Sequence, residues 1–184
     1  MRAALVTPRA APVVALEEAK LFLRVDGAEE DELVGGLVEA ATDHVEKETG
    51  RLFGRQTWRV EAASFAALVR LPVMPVIAVT EIEAVGPAAV AAVDPASWEV
   101  RHYAWGSAVI VAEGFTWPSL ARTGDAVRVT VAAGHDPAPK AIETAIKLLA
   151  ANWYRHRDAA VGPEAAQELP HGVRSILDRW RRFR

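Results

Sequence analysis

Residues 139–157 read PKAIETAIKLLAANWYRHR, and this stretch decides the fold. Its apolar side chains recur with the spacing of one helix face, and they are Ile142, Ala145, Ile146, Leu149 and Trp153. Pro139 suits the first turn of a helix, and Arg155 and Arg157 suit the negative end of the helix dipole. The stretch therefore predicts a helix with one buried face, which must pack on helices elsewhere in the chain.

The partner helices are predicted in the first third of the chain. A short helix is expected over residues 16–25, where Asp26-Gly27 follows and breaks it. The acids Glu29 to Glu32 then suit the start of a second helix, because negative charge is favourable at the positive end of the helix dipole. Gly50 is expected to terminate this helix. We therefore expect residues 16–50 to form a helical hairpin, and this hairpin is the best partner for residues 139–157.

The middle of the chain, residues 56–132, changes from helical to alternating periodicity. Proline and glycine separate short apolar segments, as is typical of strands joined by turns. Parallel pairing would need long helical crossovers, and the sequence shows none, so the strands should pair antiparallel. The predicted strands lie around residues 57–60, 68–71, 77–85, 98–102, 108–111 and 126–131.

Residues 172–184 read GVRSILDRWRRFR and predict a further, amphipathic helix. Val173, Ile176, Leu177 and Trp180 fall at i, i+3, i+4 and i+7, and arginines cover much of the remaining surface. Residues 158–170 are expected to be a linker before this helix. Two interpretations stay open: the helix folds back on its own domain, or it docks on another protein.

These patterns together predict an α+β fold. It consists of a helical bundle from residues 16–50 and 139–157, a small antiparallel β-sheet inserted over residues 56–132, and a C-terminal amphipathic docking helix within residues 158–184. Residues 16–157 would form the main domain. Residues 1–15 are apolar but contain Pro8 and Pro12, so they are predicted to be a flexible N-terminal arm and not a signal peptide.

Composition excludes several classes of protein. Half of the 184 residues are hydrophobic (51%) and the net charge is −3, which is typical of a globular protein. No apolar run approaches the roughly 20 residues of a membrane span. The chain has no cysteine, so disulfides and cysteine-based zinc sites are excluded.

The sequence contains no recognisable catalytic, cofactor or metal site. The histidines do not have metal-ligand spacing, and the acidic run Asp26–Glu32 lacks the alternating ligands of a calcium loop. Neither a Gly-x-Ser-x-Gly elbow nor a glycine-rich phosphate loop occurs. We therefore predict no catalytic residue, no cofactor and no metal, and we favour a binding or structural role over an enzyme whose site the sequence conceals.

The small net charge hides a gradient along the chain. Residues 1–50 carry five basic and eleven acidic side chains, whereas residues 140–184 carry nine basic and five acidic ones. The gradient fits either two differently solvated faces or a head-to-tail polarity between neighbours in an assembly. The basic C-terminal helix also leaves open an alternative function, a small nucleic-acid-binding protein that acts through this helix.

Several short motifs occur in a defined order along the chain. They are Leu16-Glu17-Glu18-Ala19-Lys20, Leu23-Arg24-Val25-Asp26, Ala40-Ala41-Thr42, Thr49-Gly50-Arg51, Gln56-Thr57-Trp58, Leu71-Pro72, Pro75-Val76, Val127 to Val131, Pro139-x-x-Ile142, Trp153-Tyr154 and Leu169-Pro170-x-Gly172-Val173. In this order and spacing they resemble the head–tail connector (adaptor, or head-completion) family of long-tailed phages and gene transfer agents. The resemblance covers Leu16 to Ile176. It departs at Ala15, where the family usually has Ser or Thr.

The resemblance implies a non-enzymatic ring subunit, usually in twelve copies, that extends the DNA channel at the head–tail junction of a virion or phage-like particle assembled in the bacterial cytoplasm. Its implied partners are the portal protein, copies of itself and a downstream tail or stopper protein. DNA would pass through without specific binding, and no membrane is involved. In this family the C-terminal segment reaches toward the portal. The candidate portal-binding residues are then Val173, Arg174, Ile176, Leu177, Trp180, Arg181 and Phe183.

Overall fold

The computed structural model describes residues 1–156 and 171–181, and the chain divides into two compact units. Unit 1 contains Met1–Ala10 and Arg55–His135, and unit 2 contains Ala11–Gly54 and the described residues from Asp136 onward. The described residues form four α-helices and two antiparallel β-sheets. The predicted α+β class is therefore confirmed.

All four α-helices belong to unit 2. They are α1 (Leu16–Leu23), α2 (Asp31–Thr49), α3 (Lys140–Arg155) and α4 (His171–Trp180). Helix α1 ends two residues earlier than expected because Arg24 adopts a left-handed conformation with φ 60. Helix α2 ends where the sequence predicts, since Gly50 takes φ 66 at its C-terminus. The expected linker at 158–170 lies outside the described residues.

The core of unit 2 is built from one apolar face of each long helix. Its fully buried members include Val34, Val38, Ala41 and Val45 of α2, Ile142, Ala145, Ile146 and Leu149 of α3, and also Val14, Phe53, Val173 and Leu177. The predicted stripe of residues 139–157 thus packs on the predicted stripe of α2. An ion pair between Lys147 Nζ of α3 and Glu18 Oε1 of α1, 2.5 Å apart, joins α1 to this pair of helices.

Unit 1 contains the strands, which form one large and one small antiparallel sheet. The strands are β1 (Arg2–Thr7), β2 (Gln56–Ala62), β3 (Val76–Val85), β4 (Val90–Ala92), β5 (Trp98–Tyr103), β6 (Gly106–Val111) and β7 (Val127–Ala133). Five of them form a sheet in the order β1-β2-β7-β3-β4, and β5 pairs with β6 alone. Strand β7 is central and is the most buried, with Val129 opposite Val60 on one side and Ile82 on the other.

The structure corrects two expectations about unit 1. Residues 2–7 were expected in a flexible arm but form strand β1, with Leu5 opposite Trp58 of β2. Residues such as Leu5, Val6 and Thr7 form a strand when an open sheet edge is available for pairing. The edge that they pair with belongs to β2, some 50 residues away in sequence. The expected strand around 68–71 is a 3₁₀ helix over Phe65–Val69 instead, and Leu68 and Leu71, three residues apart, are both buried.

The short strand β4 was not predicted either. Its residues, Val90–Ala92, are exposed and lie in an alanine-rich stretch without alternation. It forms because its backbone pairs with residues 83–85 of β3 across a tight connection. None of the helices among the described residues is long and apolar enough to cross a membrane.

Candidate functional site: the C-terminal helix

Helix α4, which carries most of the candidate portal-binding residues, packs within unit 2. Val173 and Leu177 are completely buried (0% exposed) in the same core as α2 and α3. Ile176 and Trp180 are partly buried and pack against that core. In this structure the helix therefore folds back on its own unit, which was the first of the two interpretations that the sequence left open.

Trp180 attaches the last turn of α4 to Phe53 and Arg51. Its ring meets Phe53 edge to face, with the ring centroids 6.5 Å apart. The Arg51 guanidinium lies 5.9 Å from the Trp180 ring centroid, and Arg51 Nε donates a hydrogen bond of 2.8 Å to the Trp180 carbonyl oxygen. A cation beside the last carbonyls of a helix is favourable, since it satisfies an orphan acceptor and opposes the negative end of the dipole.

Arg181 extends this attachment at the surface. Its guanidinium lies 2.6 Å from the Glu48 carboxylate of α2 and 3.1 Å from that of Asp178. These pairs are solvent-exposed, so each contributes at most about 1 kcal/mol. Together with Arg51 and Phe53 they fasten the last turn of α4 to the last turn of α2 and to the residues that follow it.

The structure therefore separates the seven candidate residues into groups with different environments. Val173 and Leu177 face the core, and Ile176 and Trp180 lie at its margin. Arg174 and Arg181 are exposed, as is Arg179, so the outward side of α4 is mainly basic. Phe183 lies outside the described residues. What remains available to a partner is a charged helix surface, and not the whole apolar stripe.

Sequence reasoning missed the residues that hold α4 in place. Glu48, Arg51 and Phe53 make its contacts, yet Arg51 and Trp180 are 129 residues apart. No local pattern links such positions. The only signal in the sequence was the order of the motifs, in which Thr49-Gly50-Arg51 occurs without any indication of its partner.

The described residues give no indication of catalytic chemistry. Among them, no group of three or more His, Asp or Glu side chains is placed to hold a metal ion. His102 Nδ1 and Ser107 Oγ lie 3.0 Å apart, but these residues face each other across the β5–β6 hairpin as an ordinary cross-strand pair. We assign this contact to the packing of the hairpin.

Comparison with known proteins connects this architecture to a class. The model of the phage gp6-like head-tail connector protein family matches residues 14–84. No curated protein matches the chain. Three solved chains are similar to this one at 26% identity, over 100% of this chain and 97% of theirs. The first is in the neck of an empty gene transfer agent (GTA) particle computed with C6 symmetry, with a TM-score of 0.78. The others are in the virion of a native GTA particle (TM-score 0.79) and in the neck of a native GTA particle computed with C12 symmetry (TM-score 0.76).

The fold and these similarities define a structural virion protein and not an enzyme. The family model and the neck structures support the resemblance to the head–tail connector family that the ordered motifs indicated. The function of this chain is that of a structural connector subunit, and nothing in the comparisons supports the alternative of a nucleic-acid-binding protein.

Proposed function

We propose that copies of this chain form a ring at the head–tail junction of a phage or phage-like particle, between the portal and the tail. The observation that carries this proposal is the similarity along the whole chain to chains in GTA necks computed with C6 and C12 symmetry. We infer twelve copies in the ring from the neck that was computed with C12 symmetry. The ring subunit assembles in the bacterial cytoplasm and extends the channel through which DNA leaves the head.

A ring of identical subunits needs two different, complementary surfaces on each subunit. The charge gradient of the chain fits this requirement, since residues 1–50 are strongly acidic and residues 140–184 are basic. The overall charge of −3 also suits a channel wall, because a surface that gripped the phosphate backbone would retain DNA. DNA therefore passes through the ring without specific binding.

The portal-facing surface is the outward side of α4. Arg174, which is exposed, and the partly buried Ile176 form its first part, and Trp180 and Arg181 form its last turn. Phe183 extends it. Val173 and Leu177 act indirectly, since their burial in unit 2 fixes the orientation of the helix. A tail or stopper protein occupies the opposite side of the ring.

Deleting the gene for this chain in a particle-producing strain tests the proposal. We expect DNA-filled heads and separate tails, because the piece that joins them is missing, and we expect the complete chain supplied in trans to restore tailed particles. Negative-stain electron microscopy counts the two kinds of particle. If deletion left the fraction of tailed particles unchanged, the chain would not be the connector of that particle.

A further inference from the structure

The outer strand of the five-stranded sheet, β1, lacks a partner on one side. Strand β1 pairs only with β2, and no other strand among the described residues lies along its outer edge. Its N–H and C=O groups on that side are therefore open for pairing. An edge of this kind is a template for a strand from another chain.

Both faces of β1 are also uncovered. Successive side chains of a strand point to opposite faces, and the neighbours Leu5 and Val6 are 49% and 56% exposed. Ala4 is exposed as well, and only Ala3 is partly buried. A strand of apolar residues with neither face covered is unusual in a stable domain, because layers of secondary structure normally bury such side chains.

The strand has little of the protection by which sheet edges normally avoid association. Charged residues, proline and bulges are the usual devices. Arg2, at the start of β1, is the one charged residue of the strand, and Pro8 lies just after its end. One irregularity of pairing occurs between Leu5 and Thr7. A sheet edge that must not pair with other chains normally carries more protection than this. We therefore regard the β1 edge as an interface.

The same sheet has a second open edge that could receive it. Strand β4 pairs only with β3, and its Val90 is 50% exposed while Ala91 and Ala92 are exposed too. Because each neighbouring pair in the order β1-β2-β7-β3-β4 is antiparallel, β1 and β4 run in the same direction. Rotation about an axis along the strands would bring β1 of one copy beside β4 of the next in parallel.

We propose that β1 is the surface through which each subunit binds its neighbour, by adding to the β4 edge of the next copy. This rests on the proposed function, because it assumes a ring of copies. The two edges provide the two different surfaces that a head-to-tail ring requires. The interface would place the exposed side chains of Leu5, Val6 and Val90 beside those of the neighbouring copy.

The absence of native cysteine allows a direct test by cross-linking. The double variant Leu5→Cys, Ala91→Cys would serve as the only connector of assembled particles, which are then treated with a short bis-maleimide. Neighbouring strands lie about 5 Å apart, so thiols on paired edges are within reach of the reagent. We expect covalent multimers of the chain in a ladder on a denaturing gel.

Two controls separate this inference from the proposed function. The single variants should give no ladder, and neither should Leu5→Cys with Ala40→Cys, which places the second thiol on the exposed side of α2. Tailed particles that contain the double variant but yield no ladder, or a cross-link to another protein, would overturn the β1–β4 interface alone. Particles of the unmodified strain that lack the chain altogether would overturn the proposed function.

A charged substitution provides a second readout. Val6→Lys places a charge on the open edge, and since Val6 is exposed we expect the thermal unfolding of the purified protein to be unchanged. We also expect the variant to be lost from particles. Its incorporation at the level of the unmodified chain would contradict the proposed role of β1.

Discussion

Leu177 and Arg174 lie three residues apart on α4 but have opposite environments. Leu177 is completely buried in the core of unit 2, whereas Arg174 is exposed. The first therefore contributes to stability and the second is available to a partner. This division allows the structural and binding contributions of α4 to be measured with different variants.

We expect Leu177→Ala to lower the free energy of unfolding by about 2–5 kcal/mol, because it removes buried methyl groups and leaves a cavity. Urea denaturation followed by tryptophan fluorescence measures the change. The matched control is Ser175→Ala, on the exposed side of the same helix, which should change stability by less than about 0.5 kcal/mol. Equal stability of the two variants would show that α4 does not pack on unit 2.

We expect Arg174→Glu to weaken binding to the portal protein without loss of stability, since the side chain is exposed and its charge is reversed. Co-sedimentation with portal-containing heads measures binding. The control is Arg70→Glu, an equally drastic change at an exposed position of unit 1. If both variants bound heads as well as the unmodified chain does, the outward side of α4 would not be the portal-facing surface.

Glu18 makes the stability of unit 2 depend on pH. Its hydrogen bond and ion pair with Lys147 lower the pKa of Glu18 below the ordinary 4.5. A lowered pKa adds stability that is present above the unfolded-state pKa and is lost as the pH falls through the folded-state value. We therefore expect Glu18→Gln to cost up to about 1 kcal/mol at neutral pH, since the pair is partly exposed, and nothing once both states are protonated.

Urea denaturation at a series of pH values checks this expectation. Lys147→Met should remove the same pH-dependent difference, because it deletes the other partner of the pair while it keeps an unbranched apolar stem. A difference between Glu18→Gln and the unmodified chain that persisted undiminished in strong acid would assign the effect to packing and not to the ion pair.

At the scale of elements, local periodicity predicted the helices and strands whose signals lie within their own sequence. Helices α2 and α3 were predicted closely, since their apolar stripes and the Gly50 terminus are local signals. Strand β1 and the 3₁₀ helix at Phe65–Val69 were missed, because pairing with β2 and the burial of Leu68 depend on distant residues. Helix α4 was predicted as a helix, but its place against Arg51 and Phe53 could not be predicted from the sequence.

Truncation before His171 tests α4 as an element. Loss of the helix removes Val173 and Leu177 from the core and leaves Phe53 without its contact to Trp180. We therefore expect the truncated protein to unfold at a lower temperature, by circular dichroism, than a chain shortened only after Arg181. An unchanged melting temperature would mean that α4 is a detachable docking segment, which was the other interpretation of its sequence.

At the scale of the whole molecule, different surfaces serve different proposed contacts. Unit 1 offers the open sheet edges β1 and β4, and unit 2 offers the basic side of α4. A connector needs contacts of both kinds, to its own copies and to the proteins above and below the ring.

Cryo-electron microscopy of the neck of the native particle tests the central claim most directly. We expect a closed ring of this chain between the portal and the tail, with twelve copies, with the outward side of α4 toward the portal and with DNA-sized space along the axis. A neck in which another protein occupies this position, or a particle from which the chain is absent, would contradict the account.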